Sequence, residues 1–95
     1  MVVGAHSILN ADSTREKNAR PAYLALKGLG AHFYLLDDPS ARAGYRLVIN
    51  TAGIVDKERR RVANTIAHDH REGLLALVTS GEADARAVVA EGDIK

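Results

Sequence analysis

The chain has no cysteine, no tryptophan, one phenylalanine and two prolines, and it has no apolar run long enough to cross a membrane. The lack of cysteine excludes disulfides, thiolate metal sites and thiol nucleophiles. Because aromatic residues make up only 4% of the sequence, the core has to be built from Leu, Ile, Val and Ala. The N-terminus lacks the basic-then-apolar pattern of a signal peptide, so we expect a cytoplasmic protein without a membrane partner.

The length of 95 residues, with 46% hydrophobic and 26% charged residues, predicts a single globular domain over residues 1–95. The net charge is only +1, but it is unevenly distributed. Residues 42–71 carry seven Lys or Arg against three Asp or Glu, whereas residues 72–95 carry two against five. A basic middle and an acidic end would suit an anionic partner, a contact between subunits, or solubility alone.

The hydrophobic period changes several times along the chain, and each change predicts an element. The predicted elements are a strand containing Val2, Val3, Ile8 and Leu9, a helix over Ala19–Leu29, strands over His32–Asp37 and Tyr45–Thr51, a helix over Asp56–Arg71, a strand over Leu74–Thr79 and a helix over Glu82–Glu91. The order is β-α-β-β-α-β with an extra C-terminal helix. We therefore predict an α+β fold of the ferredoxin-like, split βαβ type, with a four-stranded antiparallel sheet and two helices on one face.

In that fold the apolar segment Leu74–Thr79 would be an edge strand, and an exposed apolar edge invites aggregation. The extra helix or a second subunit would have to cover it. We expect a homodimer or a larger homo-oligomer for this reason.

The helix over Asp56–Arg71 carries a basic stripe on the side opposite its apolar residues. The stripe consists of Lys57, Arg61, His68 and Arg71. It could bind a phosphate backbone or another polyanion. It could equally be a solvated face, or contact the acidic C-terminal region of another subunit.

Two further groups are candidate sites. Thr79, Ser80 and Gly81 would connect a strand to a helix N-terminus, where backbone N–H groups can hold an anion, although such residues also serve as ordinary caps. His6, His32 and Tyr45 would lie on predicted strands and could line a pocket, with a histidine as general base. His68 and His70 would not share a helix face, so we expect no metal, and no motif indicates a cofactor.

In the order of its predicted elements the chain is similar to two groups of proteins. These are the ACT-type regulatory domains, which bind small ligands at subunit interfaces, and the dimeric α/β-barrel proteins, which pack two sheets around a pocket. The segment 26–35, LKGLGAHFYL, resembles the helix–glycine–strand passage of either group. The resemblance implies a ligand at an interface, and no functional residue is carried over from it.

The function predicted from the sequence is a small, non-enzymatic, homo-oligomeric binding or regulatory module. Its small-molecule ligand would lie at the subunit interface or on the open face of the sheet. Nucleic-acid or polyanion binding through the basic stripe is the second interpretation. A small enzyme of the dimeric-barrel kind that uses a histidine is the third.

Overall fold

The computed structural model of the chain describes residues 19–94. Helix α1 is described over residues 19–29, where the sequence predicts a helix. The elements that follow are β1 (His32–Asp37), β2 (Tyr45–Asn50), α2 (Lys57–Asp69), α3 (Arg71–Thr79), β3 (Arg86–Val88) and a 3-10 helix (Glu91–Asp93). The predicted first strand, within residues 2–9, lies outside the described residues. The fold of the described part is α+β.

The described strands form a three-stranded mixed sheet in the order β2-β1-β3. Strands β1 and β2 make an antiparallel hairpin in which Phe33 pairs with Ile49 and Leu35 with Leu47. Strand β3 runs parallel to β1, with Ala87 beside Leu35. The predicted four-stranded antiparallel ferredoxin-like sheet is therefore wrong. The resemblance to the ACT-type and dimeric-barrel groups rested on that element order and loses its basis.

The apolar segment that we predicted as the strand Leu74–Thr79 is part of helix α3. Its buried residues are Leu74, Leu77 and Val78, which are spaced as i, i+3 and i+4 on one side of a helix. A short apolar run is compatible with either a buried strand or a buried helix, and leucine and alanine favour the helix. The apolar edge strand does not exist, so the argument for a homodimer that depended on it no longer holds.

Helix α3 ends at Gly81, which the sequence predicts as part of a possible anion-binding turn. The Gly81 N–H donates to the Val78 carbonyl (3.2 Å) and the Glu82 N–H to the Leu77 carbonyl (2.9 Å), which is a Schellman motif. Gly81 has φ +84°, a conformation that residues with a Cβ rarely adopt. Gly73, by contrast, lies inside α3 and does not end a helix.

The predicted last helix, Glu82–Glu91, is also wrong, because this segment contains strand β3 and only the first residue of the 3-10 helix. Residues Arg86–Val88 pair with residues 34–36 of β1. This pairing supplies hydrogen-bond partners for the side of β1 that β2 does not cover, and buried backbone groups need such partners. The pairing with β1 therefore decides the conformation of this segment.

The core lies between the helices and one face of the sheet. The fully buried side chains Leu26, Leu74 and Leu77 come from α1 and α3, and they belong to the same cluster as Phe33 and Leu47 of the hairpin. The apolar side predicted for α2 is confirmed at Ala63 and Ala67, which are buried. Their small side chains allow α2 to pack closely.

Candidate functional site

The structure separates the residues of the predicted basic stripe. Lys57, Arg61 and His68 are exposed on α2, but α2 ends at Asp69 and Arg71 begins the next helix. The Arg71 guanidinium is directed at the sheet and donates to the Leu47 carbonyl of β2 at 3.5 Å. Arg71 therefore does not continue the row of basic residues that Lys57, Arg61 and His68 form on α2.

Acidic neighbours on the same helix take up part of the charge of α2. Arg61 pairs with Glu58 at 3.1 Å, and Arg59 lies 3.9 Å from Asp56. Asp56 also caps the helix by accepting from the backbone N–H groups of residues 58 and 59. Local pairing of this kind is typical of a solvated helix face.

The turn Thr79–Ser80–Gly81 lies at the C-terminus of a helix, so the expected N-terminal donors are not there. The Thr79 hydroxyl donates to the Leu75 carbonyl at 2.9 Å, and the Ser80 hydroxyl donates to the Leu77 carbonyl at 3.1 Å. These hydroxyls saturate helix carbonyls. The premise of the anion-turn prediction is therefore wrong.

The predicted pocket residues do not come together. His32 pairs with Asn50 at one end of the hairpin, and Tyr45 pairs with Asp37 at the other end. Five residues of strand separate the two positions, which corresponds to about 16 Å. His6 lies outside the described residues. Of these residues, only His32 lines a cleft between β1 and β3.

This cleft lies where the parallel strands β1 and β3 begin, and we call it the β1–β3 cleft. It has a volume of about 270 Å³. It is lined by Lys27, Ala31, His32, Phe33, Tyr34, Asp84, Ala85 and Arg86. Three elements thus contribute, since Lys27 belongs to the last turn of α1 and the other residues begin the two strands.

Strand β1 follows α1 and strand β3 follows α3, and the two helices end in the same way. At the end of α1 the Gly30 N–H donates to the Lys27 carbonyl (3.1 Å) and the Ala31 N–H to the Leu26 carbonyl (2.9 Å), a second Schellman motif. Gly30 has φ +105°. These two helix–glycine–strand passages place His32 and Arg86 on neighbouring strands.

Tyr23 holds the two sides of the cleft together. Its hydroxyl donates to the Asp84 carbonyl at 2.9 Å and accepts from the Asp84 N–H at 3.1 Å. Its ring is buried and packs on Phe33, with ring centroids 4.7 Å apart. The Lys27 ammonium lies 5.4 Å from the centre of the same ring, within the range of a cation–π contact.

The basic side chains of the cleft have no acidic partners. In the part of the chain that the structure describes, Lys27, His32 and Arg86 form no ion pair, although Asp84 lines the same cleft. Arg20, by contrast, pairs with Glu82 at 3.3 Å. Lys27 also lies near the negative end of the α1 dipole, which offsets part of its charge. The remaining positive charge suits a small anion.

Sequence reasoning found His32 but missed Lys27, Asp84 and Arg86. The missed residues lie near two of the three described glycines with positive φ, Gly30 and Gly81, which end the two helices. A repeated helix–glycine–strand pattern was the available signal for them. The repeated pattern is not recognised when the segment after Gly81 is predicted as a helix.

Comparison with known protein families, curated proteins and solved structures found no match. Among residues 19–94, no three His, Asp or Glu side chains are grouped closely enough to hold a metal ion. No helix of that same stretch is long and apolar enough to cross a membrane.

Proposed function

We propose that the protein is a small binding module that holds a small anionic ligand, with a phosphate or carboxylate group, in the β1–β3 cleft. The observation that carries this proposal is the meeting of Lys27, His32 and Arg86 from three different elements around one cleft. None of the three forms an ion pair within the described residues. All three side chains are exposed and so accessible to a ligand, and charge-assisted hydrogen bonds from Lys27 and Arg86 to a phosphate or carboxylate group would stabilise the bound anion.

The size of the cleft limits the ligand. Pockets for drug-sized molecules have volumes of roughly 300–1,000 Å³. The β1–β3 cleft, at about 270 Å³, suits an inorganic anion or a compact organic acid. The Tyr23 hydroxyl is committed to Asp84, so Tyr23 positions the cleft and is not offered as a contact to the ligand.

Titration with inorganic phosphate, followed by amide chemical shifts at pH 7, tests the proposal. We expect saturable shifts at residues 31–34 and 84–86. Arg86→Gln should weaken binding by about tenfold, because a charge-assisted hydrogen bond contributes about 1.5–3 kcal/mol. Arg42→Gln is the matched control, because Arg42 is exposed, has no ion pair within the described residues and does not line the cleft.

Equal phosphate affinity in the Arg86→Gln and Arg42→Gln variants would refute the proposal. So would shifts that fall mainly on α2. The second outcome would instead favour polyanion binding through the basic residues of that helix. The structure offers less for that function, because Arg61 is paired and Arg71 lies apart.

A further inference from the structure

A second cavity lies where β2 ends and α2 begins, and we call it the β2–α2 groove. Its volume is about 700 Å³, which is within the range for small organic ligands. Val48 and Ile49, which project from opposite faces of β2, line the groove at this strand, Ala52 lines it after the strand, and Ile94 lines it from the C-terminal segment. Arg60 of α2 and Glu91 also face it. The groove is distinct from the β1–β3 cleft, with which it shares no residue.

The sides of the groove are held in place by specific contacts. The Thr51 hydroxyl donates to the Asn64 side-chain oxygen at 2.7 Å, which fixes α2 against the end of β2. Arg46 forms an ion pair with Glu91 and so anchors the C-terminal segment to β2. Because Glu91 has this partner, its charge is compensated from within the protein.

Arg60 differs from the arginines on either side of it. Arg59 and Arg61 have acidic partners on α2, whereas Arg60 has no ion pair or side-chain hydrogen bond within residues 19–94. Arg60 is also half-buried, whereas Arg59 and Arg61 are exposed. A half-buried guanidinium without a partner, beside an apolar surface, is complementary to an anion that carries an apolar group.

We infer that the β2–α2 groove binds a monocarboxylate with a short aliphatic chain. The Arg60 guanidinium has the planar, forked geometry that binds a carboxylate through two parallel hydrogen bonds. The aliphatic chain contacts Val48 and Ile94 and loses its exposure to water, which favours binding over a ligand without the chain. The inference does not depend on the function proposed for the β1–β3 cleft.

The test is a titration of the 95-residue protein with sodium hexanoate, followed by amide chemical shifts at pH 7. We expect saturable shifts at residues 48–52, 60 and 91–94. Acetate has the carboxylate without the chain, and 1-hexanol has the chain without the charge. Each should bind at least about tenfold more weakly than hexanoate, since each loses one of the two contributions.

Arg60→Gln should weaken hexanoate binding by about tenfold or more. Arg59→Gln is the matched control on the same helix and should change the affinity by less than about twofold, because Arg59 is exposed and does not line the groove. Arg60→Lys keeps the charge but removes the fork, and it should bind with intermediate affinity.

Three outcomes would overturn the inference. One is an Arg60→Gln variant that is folded and binds hexanoate like the unchanged protein. Another is an equal loss of affinity in the Arg59→Gln variant. The third is a set of shifts confined to residues 31–34 and 84–86, which would assign hexanoate to the β1–β3 cleft. If Arg60→Gln does not fold, the comparison of Arg60→Lys with Arg59→Gln decides, and equal affinities there would also overturn it.

Discussion

Removal of the Tyr23 hydroxyl should destabilise the protein and weaken ligand binding in the β1–β3 cleft. The hydroxyl makes two hydrogen bonds with the backbone of Asp84, at 2.9 and 3.1 Å, and these connect α1 to the segment before β3. Tyr23→Phe keeps the ring and its packing on Phe33. It leaves an N–H and a carbonyl of Asp84 without their protein partner.

The expected loss follows from the net value of a hydrogen bond, which is about 1 kcal/mol for each bond. Both bonds are part-buried, so water can replace them only incompletely. We therefore expect the free energy of unfolding to fall by about 1–2 kcal/mol. For a domain of this size the melting temperature would fall by about 4–15 °C.

Urea denaturation followed by circular dichroism measures this change, and Tyr45→Phe is the matched control. Tyr45 is 41% exposed and its hydroxyl makes no hydrogen bond within the described residues, so its loss should cost less than about 0.5 kcal/mol. A Tyr23→Phe variant as stable as Tyr45→Phe would refute the reasoning. An unchanged phosphate affinity in a destabilised Tyr23→Phe variant would contradict only the link between Tyr23 and the cleft.

Three further substitutions test local features of the fold. Asp56→Ala removes the cap of α2 and should cost about 0.5–2 kcal/mol in urea denaturation; no loss would contradict the capping geometry. Gly81→Ala forces a Cβ into φ +84° and should cost about 1 kcal/mol, whereas Gly53→Ala, without a positive φ, should cost less. The hydrogen bond from the Ser40 hydroxyl lowers the pKa of Asp38 below its ordinary value of 3.8. The ionised Asp38 carboxylate therefore stabilises the folded state above that pH, and this stabilisation is lost as the pH falls through the folded-state pKa. Asp38→Asn should therefore be less stable than the unchanged protein at pH 7, and the difference in the free energy of unfolding should shrink as the pH falls below 3.8; a difference that stays constant in acid would contradict this assignment.

The elements that local sequence specifies were predicted well. Strand β1 has the predicted bounds, and β2 ends one residue before the predicted end. Helix α2 begins next to Asp56, where the sequence predicts its start, because a carboxylate there can reach backbone N–H groups two and three residues ahead wherever the helix is placed. Gly30 ends α1 because the chain leaves the helix through a positive φ at this one residue, which a glycine can adopt. Each of these features depends on a few neighbouring residues.

The candidate site was predicted only at His32. Lys27, Asp84 and Arg86 come from segments that are distant in sequence, and they meet because β3 lies beside β1. The stripe prediction failed at Arg71, because its placement depends on a helix break at His70 and a carbonyl on the sheet. Neither can be read from the spacing of the basic residues alone.

The sequence by itself determined the strands of the hairpin and the amphipathic helix α2, since hydrophobic period and short-range hydrogen bonds specify them. Tertiary contacts decided the conformation of the C-terminal part of the chain. The run from Leu74 to Val78 is helical because three of its side chains share the core with Leu26 and Phe33. Residues Arg86–Val88 are a strand because one side of β1 needs hydrogen-bond partners. Both outcomes depend on partners more than 35 residues away along the chain, and no local pattern contains them.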